Sequence, residues 1–334
     1  MRAVDLFAGP GGWSLACQWN GIAEDGVEID LAARATREAA GFTTVHDDVE
    51  TFVPAVEYDI AIASPPCQTF SVAGKGAGRK ALQVVTDAVH QQVLPSRDDL
   101  EAATGDRRTA LVLEPLRYVI EHRPRFVLLE QVPTVLPVWN QYETRLRDLG
   151  YNVWTGLCRA EQWGVPQTRR RAILLADLRR HVHAPVPTHS RYYPHRPEQM
   201  DMGVEPWVSM AEALGWGPPN RPGYTVTGGG TETGGAEPFA RGAREALWPY
   251  KRPSTTIVGS FRPEIVAAPG YRTTVSRQNA PGSVTITVQE AGVLQSFPED
   301  FPWQGSKNKQ FQQVGNAIPP KLADALITSL ITKV

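Results

Sequence analysis

DLFAGPGG, residues 5–12, is a short apolar stretch that runs directly into glycines. The residues before it complete a predicted strand, and WSLACQW at 13–19 is typical of a helix. Gly9, Gly11 and Gly12 allow the backbone to turn tightly and to approach a ligand, while the helix start offers free N–H groups. Turns of this kind bind dinucleotides, phosphates or S-adenosylmethionine. The motif by itself therefore predicts a ligand-binding loop and leaves the ligand open.

The segments that follow alternate between strand-like and helix-like patterns. YDIAIAS at 58–64 is a short continuous apolar run, which is typical of a strand buried on both faces. Further strands are predicted at EDGVEI, RPRFVLLE, YNVWTGLC and RRAILLAD, and helices at LAARATREAA, at 112–120, at QYETRLRDL and at PKLADALITSLI. This alternation predicts an α/β fold with a doubly wound, mostly parallel sheet.

The composition is that of an ordinary globular protein, with 42% hydrophobic and 21% charged residues in a chain of 334. No apolar run reaches the ~18 residues that a membrane span needs, and the first residues lack the form of a secretory signal. The three cysteines, Cys17, Cys67 and Cys158, indicate neither a disulfide framework nor a zinc site. These features predict a cytoplasmic protein that holds no metal and does not associate with membranes.

Charge and composition change past the middle of the chain. Residues 160–280 carry 15 Lys and Arg against 10 Asp and Glu, a net charge of +5, whereas the rest of the chain carries a net charge of −6. Residues 183–283 are rich in glycine and proline and show little periodicity. We therefore predict a second, smaller and irregular domain over 180–307, with the sheet domain formed by 1–179 and 308–334. A basic segment beside an acidic body is compatible with a polyanionic partner.

Acidic residues follow the second and third predicted strands. Glu28 ends the second strand, and Asp48 follows the short strand after it. In nucleotide-binding sheets a carboxylate at the end of the second strand accepts hydrogen bonds from ribose hydroxyls. The second carboxylate could accept from an adenine amino group. Together with the glycine-rich turn, these residues predict a nucleoside site.

SPPCQTFS, residues 64–71, presents one cysteine after two rigid prolines at the end of a buried strand. Glu130 ends another buried strand, and QTRRR at 167–171 precedes a third. Because strand ends meet at one edge of a doubly wound sheet, Cys67 and Glu130 are expected to face one substrate. A thiol that adds to ring carbon 6, a carboxyl that bonds ring nitrogen 3 and an arginine that holds the carbonyl oxygen suit a pyrimidine.

The ordered set DLFAGPGG, SPPCQTFS, EQVP, QTRRR and VGNAIPP resembles the DNA (cytosine-5) methyltransferase family over nearly the whole chain. The resemblance implies the class I methyltransferase fold and S-adenosylmethionine as methyl donor, with S-adenosylhomocysteine as product. It implies that a cysteine attacks a cytosine flipped out of double-stranded DNA, so that carbon 5 accepts the methyl group. The implied catalytic residues are Cys67, Gln68, Glu130, Arg169 and Arg171. The implied cofactor-binding residues are Phe7, Ala8, Gly9, Gly11, Gly12, Glu28, Ile29, Asp48, Val49, Pro66, Asn316 and Ala317.

The basic, glycine-rich segment lies where this family recognises its DNA target. The candidate DNA contacts are Ser71, Gln167, Arg221, Arg241, Arg244, Lys251 and Arg252. The resemblance also implies a monomer that modifies bacterial or phage DNA, with a cognate restriction endonuclease as its partner in the same system.

The sequence departs from the family pattern at three places. Gln131 stands where Asn usually follows the catalytic Glu, and Ile29 stands where an aromatic residue often stacks on adenine. The segment between Cys67 and Glu130 is longer than in compact members. Its extra residues, 87–106, are interpreted as a solvated loop in preference to a segment that contacts DNA.

Two other interpretations stay open at this point. A tRNA cytosine-5 methyltransferase would use the same chemistry on another substrate, although the Cys-Phe-Thr stretch typical of the eukaryotic RNA enzymes is absent from the sequence. A catalytically silent DNA-binding protein would keep only the scaffold. The intact Cys67, Gln68, Glu130 and Arg171 argue against the second interpretation.

Overall fold

The computed structural model of the protein describes residues 1–66, 77–196, 198–216, 248–254, 256–257, 265–266 and 284–331. The chain divides into two units. Unit 1 comprises Met1–Arg159, Arg170–Val186 and Ile318–Val334, and unit 2 comprises Ala160–Arg169 and Pro187–Ala317. These bounds differ in detail from the predicted domain boundaries, and the roles expected of the two domains stay predictions.

Unit 1 is built on seven strands: β1 Arg2–Asp5, β2 Ala23–Val27, β3 Thr43–His46, β4 Ile60–Ala63, β5 Phe126–Gln131, β6 Asn152–Arg159 and β7 Arg170–Asp177. They form one sheet in the order β3-β2-β1-β4-β5-β7-β6. β7 runs antiparallel to both β5 and β6, and all other neighbouring strands are parallel. The predicted doubly wound, mostly parallel sheet is therefore confirmed.

The helices of unit 1 connect these strands. They are α1 Gly12–Trp19, α2 Leu31–Ala39, α3 Ala77–Val89, α4 Arg97–Thr104, α5 Arg107–Ala110, α6 Glu114–His122, α7 Leu136–Asp148 and, near the end of the chain, α11 Pro320–Ile331. Short 3₁₀ turns precede α6 and α7, at Leu111–Leu113 and Pro133–Val135.

The central strands are buried on both faces, as their continuous apolar sequences predict. Ala61 and Val127 belong to a hydrophobic core that also contains Leu116 of α6 and Trp139 of α7. Residues of the opposite register, such as Ile62, are also fully buried. α11 contacts β5 and β7. Side chains alternate between the two faces of a strand. Since residues pointing to either face are buried, helices cover both faces of the sheet.

The interpretation of residues 87–106 as a solvated loop is wrong, because the segment contains the end of α3 and the whole of α4. The Ser96 side chain accepts from the backbone N–H of Asp99 and caps the helix start. The helix ends at Gly105, which has φ +76°. These are ordinary start and stop signals that the sequence already contained.

Residues 87–106 are packed against the rest of unit 1. Leu100 is 2% exposed and belongs to the hydrophobic core. The Arg97 guanidinium donates to both carboxylate oxygens of buried Glu114, at 3.1 and 2.8 Å. The insert is therefore a folded part of the sheet domain.

Unit 2 contains three helices and one strand pair among its described residues. The helices are α8 Met210–Ala213, α9 Val288–Leu294 and α10 Lys307–Asn316, and the antiparallel strands are β8 Ile265–Val266 and β9 Val284–Thr285. α8 and α9 each begin with a capping box, at Ser209 with Glu212 and at Thr287 with Glu290. Over all the described ranges, both units included, none of the helices is long and apolar enough to cross a membrane.

Candidate active site

The glycine-rich loop joins the end of β1 to α1. Gly9 has φ +54° and Gly11 has φ +113°, in the left-handed region that favours glycine. A Cβ on Gly11 would lie only 2.6 Å from the Phe42 ring. The second glycine of the motif is therefore required both by backbone conformation and by the space available.

The start of α1 lies in close contact with the last predicted motif. A Cβ on Gly12 would lie 2.3 Å from the carbonyl oxygen of Ile318. α1 packs against α11, and Asn20 Nδ2 donates to Asp324 Oδ1 at 2.7 Å, across a sequence separation of 304 residues. VGNAIPP therefore returns to the glycine-rich loop through Ile318.

Glu28 follows β2, and backbone N–H groups fix its carboxylate. Oε2 accepts from the N–H of Gly9 and Oε1 accepts from the N–H of Asp30, both at 2.7 Å. Burial raises the pKa of Glu28, and these two hydrogen bonds act in the opposite direction. Each oxygen keeps acceptor capacity. The carboxylate is thus held in place and is still able to accept from hydroxyl groups of a ligand.

The remaining predicted cofactor residues of unit 1 lie in the segments that follow β1, β2, β3 and β4. Ile29 is 70% exposed, so its apolar side chain is open to a ligand. Asp48 follows β3, and its carboxylate accepts from the backbone N–H two residues later at 2.9 Å. The other predicted cofactor residues on these segments have side chains that are at least partly buried: Phe7, Ala8, Val49 and Pro66.

A buried arginine ties α2 to β2 and α1. The Arg37 guanidinium is fully buried, lies 3.0 Å from the Glu24 carboxylate and donates to Ser14 Oγ at 2.7 Å. A Cβ on Gly26 would lie 2.2 Å from this guanidinium, so glycine leaves the space that it fills. Burial and the nearby Glu24 raise the pKa of Asp5, whereas Arg37 lowers it. This group of charges supports the strand ends from which the glycine-rich loop and Glu28 extend.

Ser64, Pro65 and Pro66 lead from β4 to the predicted nucleophile. Trp13 Nε1 donates to Ser64 Oγ at 3.0 Å, and Gln131 Nε2 donates to the carbonyl oxygen of Pro65. The segment is therefore held from α1 on one side and from β5 on the other. The predicted residues Cys67, Gln68 and Ser71 lie outside the described residues.

The two cysteines in the described ranges are buried. Cys17 lies in α1 and Cys158 in β6, at 0% and 3% exposure. Burial raises the pKa of both thiols, that of Cys158 to about 12. Neither thiol is suited to act as a thiolate nucleophile at neutral pH.

Glu130 and Arg171 form an ion pair on the neighbouring strands β5 and β7. Glu130 Oε1 lies 2.6 Å from Arg171 Nε, and both side chains are nearly buried. In the parallel pairing of β4 with β5, Ala63 is opposite Leu129. The segment that leaves β4 therefore starts beside Glu130, and the predicted carboxyl and guanidinium groups are brought together.

Gln167 and Arg169 of QTRRR lie in unit 2, and the side chains of both form hydrogen bonds there. The Gln167 side chain is fully buried, donates to the Leu294 carbonyl at 3.1 Å and accepts from the Ile257 N–H at 3.0 Å. Arg169 is 1% exposed, and its guanidinium donates to the carbonyl oxygens of Gly315 and Ala317 at 2.9 and 3.0 Å. In this structure Gln167 has no exposed surface with which to contact DNA. Arg169 binds the backbone at the end of α10, and its catalytic role stays a prediction.

The other predicted residues of unit 2 are only partly described. Asn316 is exposed at the end of α10, and Ala317 is buried. Lys251 is exposed, whereas Arg252 is half-buried with its guanidinium 4.8 Å from the centre of the Tyr192 ring. The predicted DNA contacts Arg221, Arg241 and Arg244 lie outside the described residues.

Trp13 and Ser64 were not predicted from the sequence as residues near the site, and Gln131 was predicted only as a departure from the family pattern. A buried indole needs an acceptor for its N–H group. A side-chain amide in a buried strand needs partners for both of its ends. Those two rules could have marked Trp13 and Gln131, although they could not have named Ser64 and Pro65 as the partners.

A family model described as C-5 cytosine-specific DNA methylase matches residues 1–206 and 232–332. The chain belongs to the C-5 cytosine-specific DNA methylase family. The predicted resemblance is confirmed, and the family identifies the protein as a DNA cytosine-5 methyltransferase. The two matched ranges of this methylase include every strand of the main sheet and VGNAIPP.

Relatives of this methylase are similar over most of their length. The type II methyltransferase M1.HphI of Haemophilus parahaemolyticus is 28% identical, over 98% of this chain and 86% of its own length. The type II methyltransferase M.HgiDI of Herpetosiphon aurantiacus is 29% identical, over 99% of this chain and 94% of its own.

Solved structures share the methylase fold. The Dnmt2 methyltransferase of S. pombe superimposes with a TM-score of 0.61 at 18% identity, covering 99% of this chain and 98% of that one. The methyltransferase EhMeth of Entamoeba histolytica gives a TM-score of 0.58 at 14% identity, covering 99% and 97%. The predicted class I methyltransferase fold is therefore confirmed.

Proposed function

We propose that this methylase transfers a methyl group from S-adenosylmethionine to carbon 5 of cytosine in double-stranded DNA, through a covalent bond between Cys67 and ring carbon 6. The observation that carries the proposal is the Glu130–Arg171 ion pair beside the segment that leads to Cys67. A carboxyl and a guanidinium at this position match the ring nitrogen and carbonyl oxygen of cytosine.

The residues around the glycine-rich loop fit the methyl donor. Gly9 and Gly11 keep the backbone close to a ligand, the Glu28 carboxylate suits a ribose, and exposed Ile29 offers an apolar surface to adenine. S-adenosylmethionine, when bound, supplies a methyl group on a positively charged sulfur and leaves as S-adenosylhomocysteine.

Cys67 is supported as the nucleophile by the state of the other two thiols. The sequence holds three cysteines, and burial raises the pKa of both Cys17 and Cys158. Only Cys67 follows a strand end beside Glu130. A thiolate at this place can attack a ring carbon directly.

The proposed chemistry follows from the electron demand of cytosine, whose carbon 5 is a poor nucleophile. Addition of the Cys67 sulfur to carbon 6 breaks the 5,6 π bond and moves its electrons through carbon 5 towards ring nitrogen 3, while Glu130, which takes up a proton from solvent as cytosine binds, passes that proton to ring nitrogen 3. Carbon 5 then bonds the methyl carbon as the bond from that carbon to the donor sulfur breaks. A base removes the proton from carbon 5, the bond between carbon 6 and sulfur breaks to restore the thiolate of Cys67, and ring nitrogen 3 returns its proton to Glu130.

The finer features of the proposal concern partners and setting. Cytosine inside a duplex is stacked, so the reaction requires that the base be flipped out. We propose that unit 2 contributes to DNA recognition and that the enzyme acts as a monomer in the cytoplasm of a bacterium or a phage-infected cell. The relatives named above are type II methyltransferases. By this analogy a cognate restriction endonuclease is the proposed partner.

Expression of the chain in cells that lack cytosine methylation tests the proposed activity. Bisulfite sequencing should reveal methylated cytosine within one short DNA sequence, and mass spectrometry of digested DNA should identify 5-methylcytosine. Purified enzyme should methylate duplex DNA in preference to tRNA. Methylation of tRNA alone would favour the RNA interpretation, and a methyl group on the exocyclic nitrogen would overturn the proposed chemistry.

Glu28→Ala is expected to weaken binding of S-adenosylhomocysteine by about 1–3 kcal/mol, because the ribose hydroxyls lose a buried acceptor. Titration calorimetry measures this directly. Glu38→Ala removes an exposed carboxylate from α2 and should leave the affinity unchanged. Equal affinity of the Glu28 variant and the wild type would show that Glu28 does not bind the ribose.

A further inference from the structure

The three residues between β4 and Cys67 have few ways of being held in place. Pro65 and Pro66 lack backbone N–H groups, so neither can donate a hydrogen bond. Their remaining polar groups are the carbonyl oxygens and the N–H and hydroxyl of Ser64. Within Pro65 and Pro66 only the carbonyl oxygens can take part in hydrogen bonds, so bonds to them need donors from elsewhere in the chain.

Two nearly buried side chains supply donors to this segment. The Trp13 indole N–H lies 3.0 Å from Ser64 Oγ, and Trp13 is 2% exposed. The Gln131 amide N–H donates to the Pro65 carbonyl oxygen, and Gln131 is 5% exposed. Water cannot readily replace a buried donor, so loss of either one leaves an acceptor of the segment unpaired.

The orientation of the Gln131 amide is itself fixed. Its Oε1 accepts from the backbone N–H of Val132, so the NH₂ end must point to Pro65. Val132 directly follows β5, the strand that carries Glu130. Trp13 lies in the first turn of α1, directly after the glycine-rich loop. The two anchors thus connect Ser64–Pro65 to the cofactor loop and to the strand of the catalytic carboxylate.

We propose that Trp13 and Gln131 are positioning residues that fix Ser64 and Pro65, so that the chain enters Cys67 in the geometry required for attack on carbon 6. This inference rests on the proposed function. Displacement of a reacting group by about 1 Å is enough to reduce a rate about 10²-fold. The pair acts on the rate of methyl transfer, while the affinity for S-adenosylhomocysteine depends on Glu28 and the glycine-rich loop.

A double-mutant cycle tests the Trp13 anchor. Trp13→Phe and Ser64→Ala should each reduce the single-turnover rate of methyl transfer by about 3- to 10-fold, the effect of losing one hydrogen bond. The double variant should be no slower than the slower single variant, since all three variants lack the same bond. Affinity for S-adenosylhomocysteine should stay within about twofold of wild type. Multiplicative losses in rate would overturn the inference, as would a fall in thermal stability without a fall in rate.

Gln131→Glu tests the second anchor through its pH profile. A protonated glutamic acid can still donate to the Pro65 carbonyl, whereas a carboxylate cannot. The variant should therefore approach the wild-type rate at low pH and lose activity as pH rises, relative to the wild-type profile measured in parallel. A Gln131→Glu profile parallel to wild type would overturn the role of this amide. Absence of cytosine-5 methylation by the wild-type enzyme would instead overturn the proposed function, so the two failures are distinguishable.

Discussion

Replacing Cys67 by serine is expected to abolish methyl transfer, with a loss on the order of 10³-fold or more, as for other enzymes that lose their nucleophile. A serine hydroxyl is almost fully protonated at neutral pH and does not add to carbon 6 without a strong base. The wild-type enzyme should also become covalently attached to DNA that carries 5-fluorocytosine, because fluorine does not leave carbon 5 as a proton does. The serine variant should form no such adduct. Gel electrophoresis under denaturing conditions detects it.

Cys158→Ala provides the matched control, since it removes a buried thiol from β6. This variant should methylate DNA and form the fluorocytosine adduct as wild type does. Cys67→Ser should still bind S-adenosylhomocysteine, because Glu28 and the glycine-rich loop are unchanged. Methylation that survives in Cys67→Ser would mean that the thiol is structural and that the covalent route is wrong.

Glu130→Gln is expected to slow methyl transfer by about 10²- to 10⁴-fold, the range typical of a lost general acid. Glutamine has nearly the same shape and can still accept from Arg171, but it cannot give a proton to ring nitrogen 3. Single-turnover measurements with saturating DNA isolate this step from binding. Formation of the fluorocytosine adduct should slow in parallel, because protonation accompanies attack by the thiol.

The loss of a buried ion pair also affects the stability of the fold, so Glu130→Gln needs its own control. Glu114→Gln removes a carboxylate that is similarly buried and forms ion pairs with Arg97 and Arg117. Both variants should lower the melting temperature, and only Glu130→Gln should lower the rate per folded molecule. A similar fall in rate for both would show that Glu130 contributes stability and no chemistry.

The fold and the strand-end residues of unit 1 were predictable because they depend on local pattern. Short apolar runs such as IAIA in β4 can be buried on both faces only in a sheet covered by helices. The parallel order then brings Glu130 next to the end of β4. The glycine-rich loop was predictable for a similar reason, since Gly11 has a backbone conformation that other residues rarely adopt.

The remaining features depend on contacts between distant parts of the chain. The resemblance implied a catalytic role for Arg169, which stays a prediction, but the sequence could not reveal that its guanidinium donates to the backbone carbonyls of Gly315 and Ala317. The burial of Arg37 was not predictable either, because its partner Glu24 lies on another element, β2. The helix over 97–104 is different. Its Ser96 cap and Gly105 stop were visible in the sequence, and the error there was one of interpretation.

A ribosome that makes this chain releases the glycine-rich loop early and Ile318 much later. At ~5–20 residues per second, the roughly 300 residues between them take about 15–60 s to synthesise. During that interval α1 lacks the helix against which it packs, and the backbone that Gly12 approaches does not yet exist. Nascent chains and fragments that end before Ile318 therefore lack both the backbone next to Gly12 and the helix that packs on α1. We expect methyl transfer only after α11 has been made.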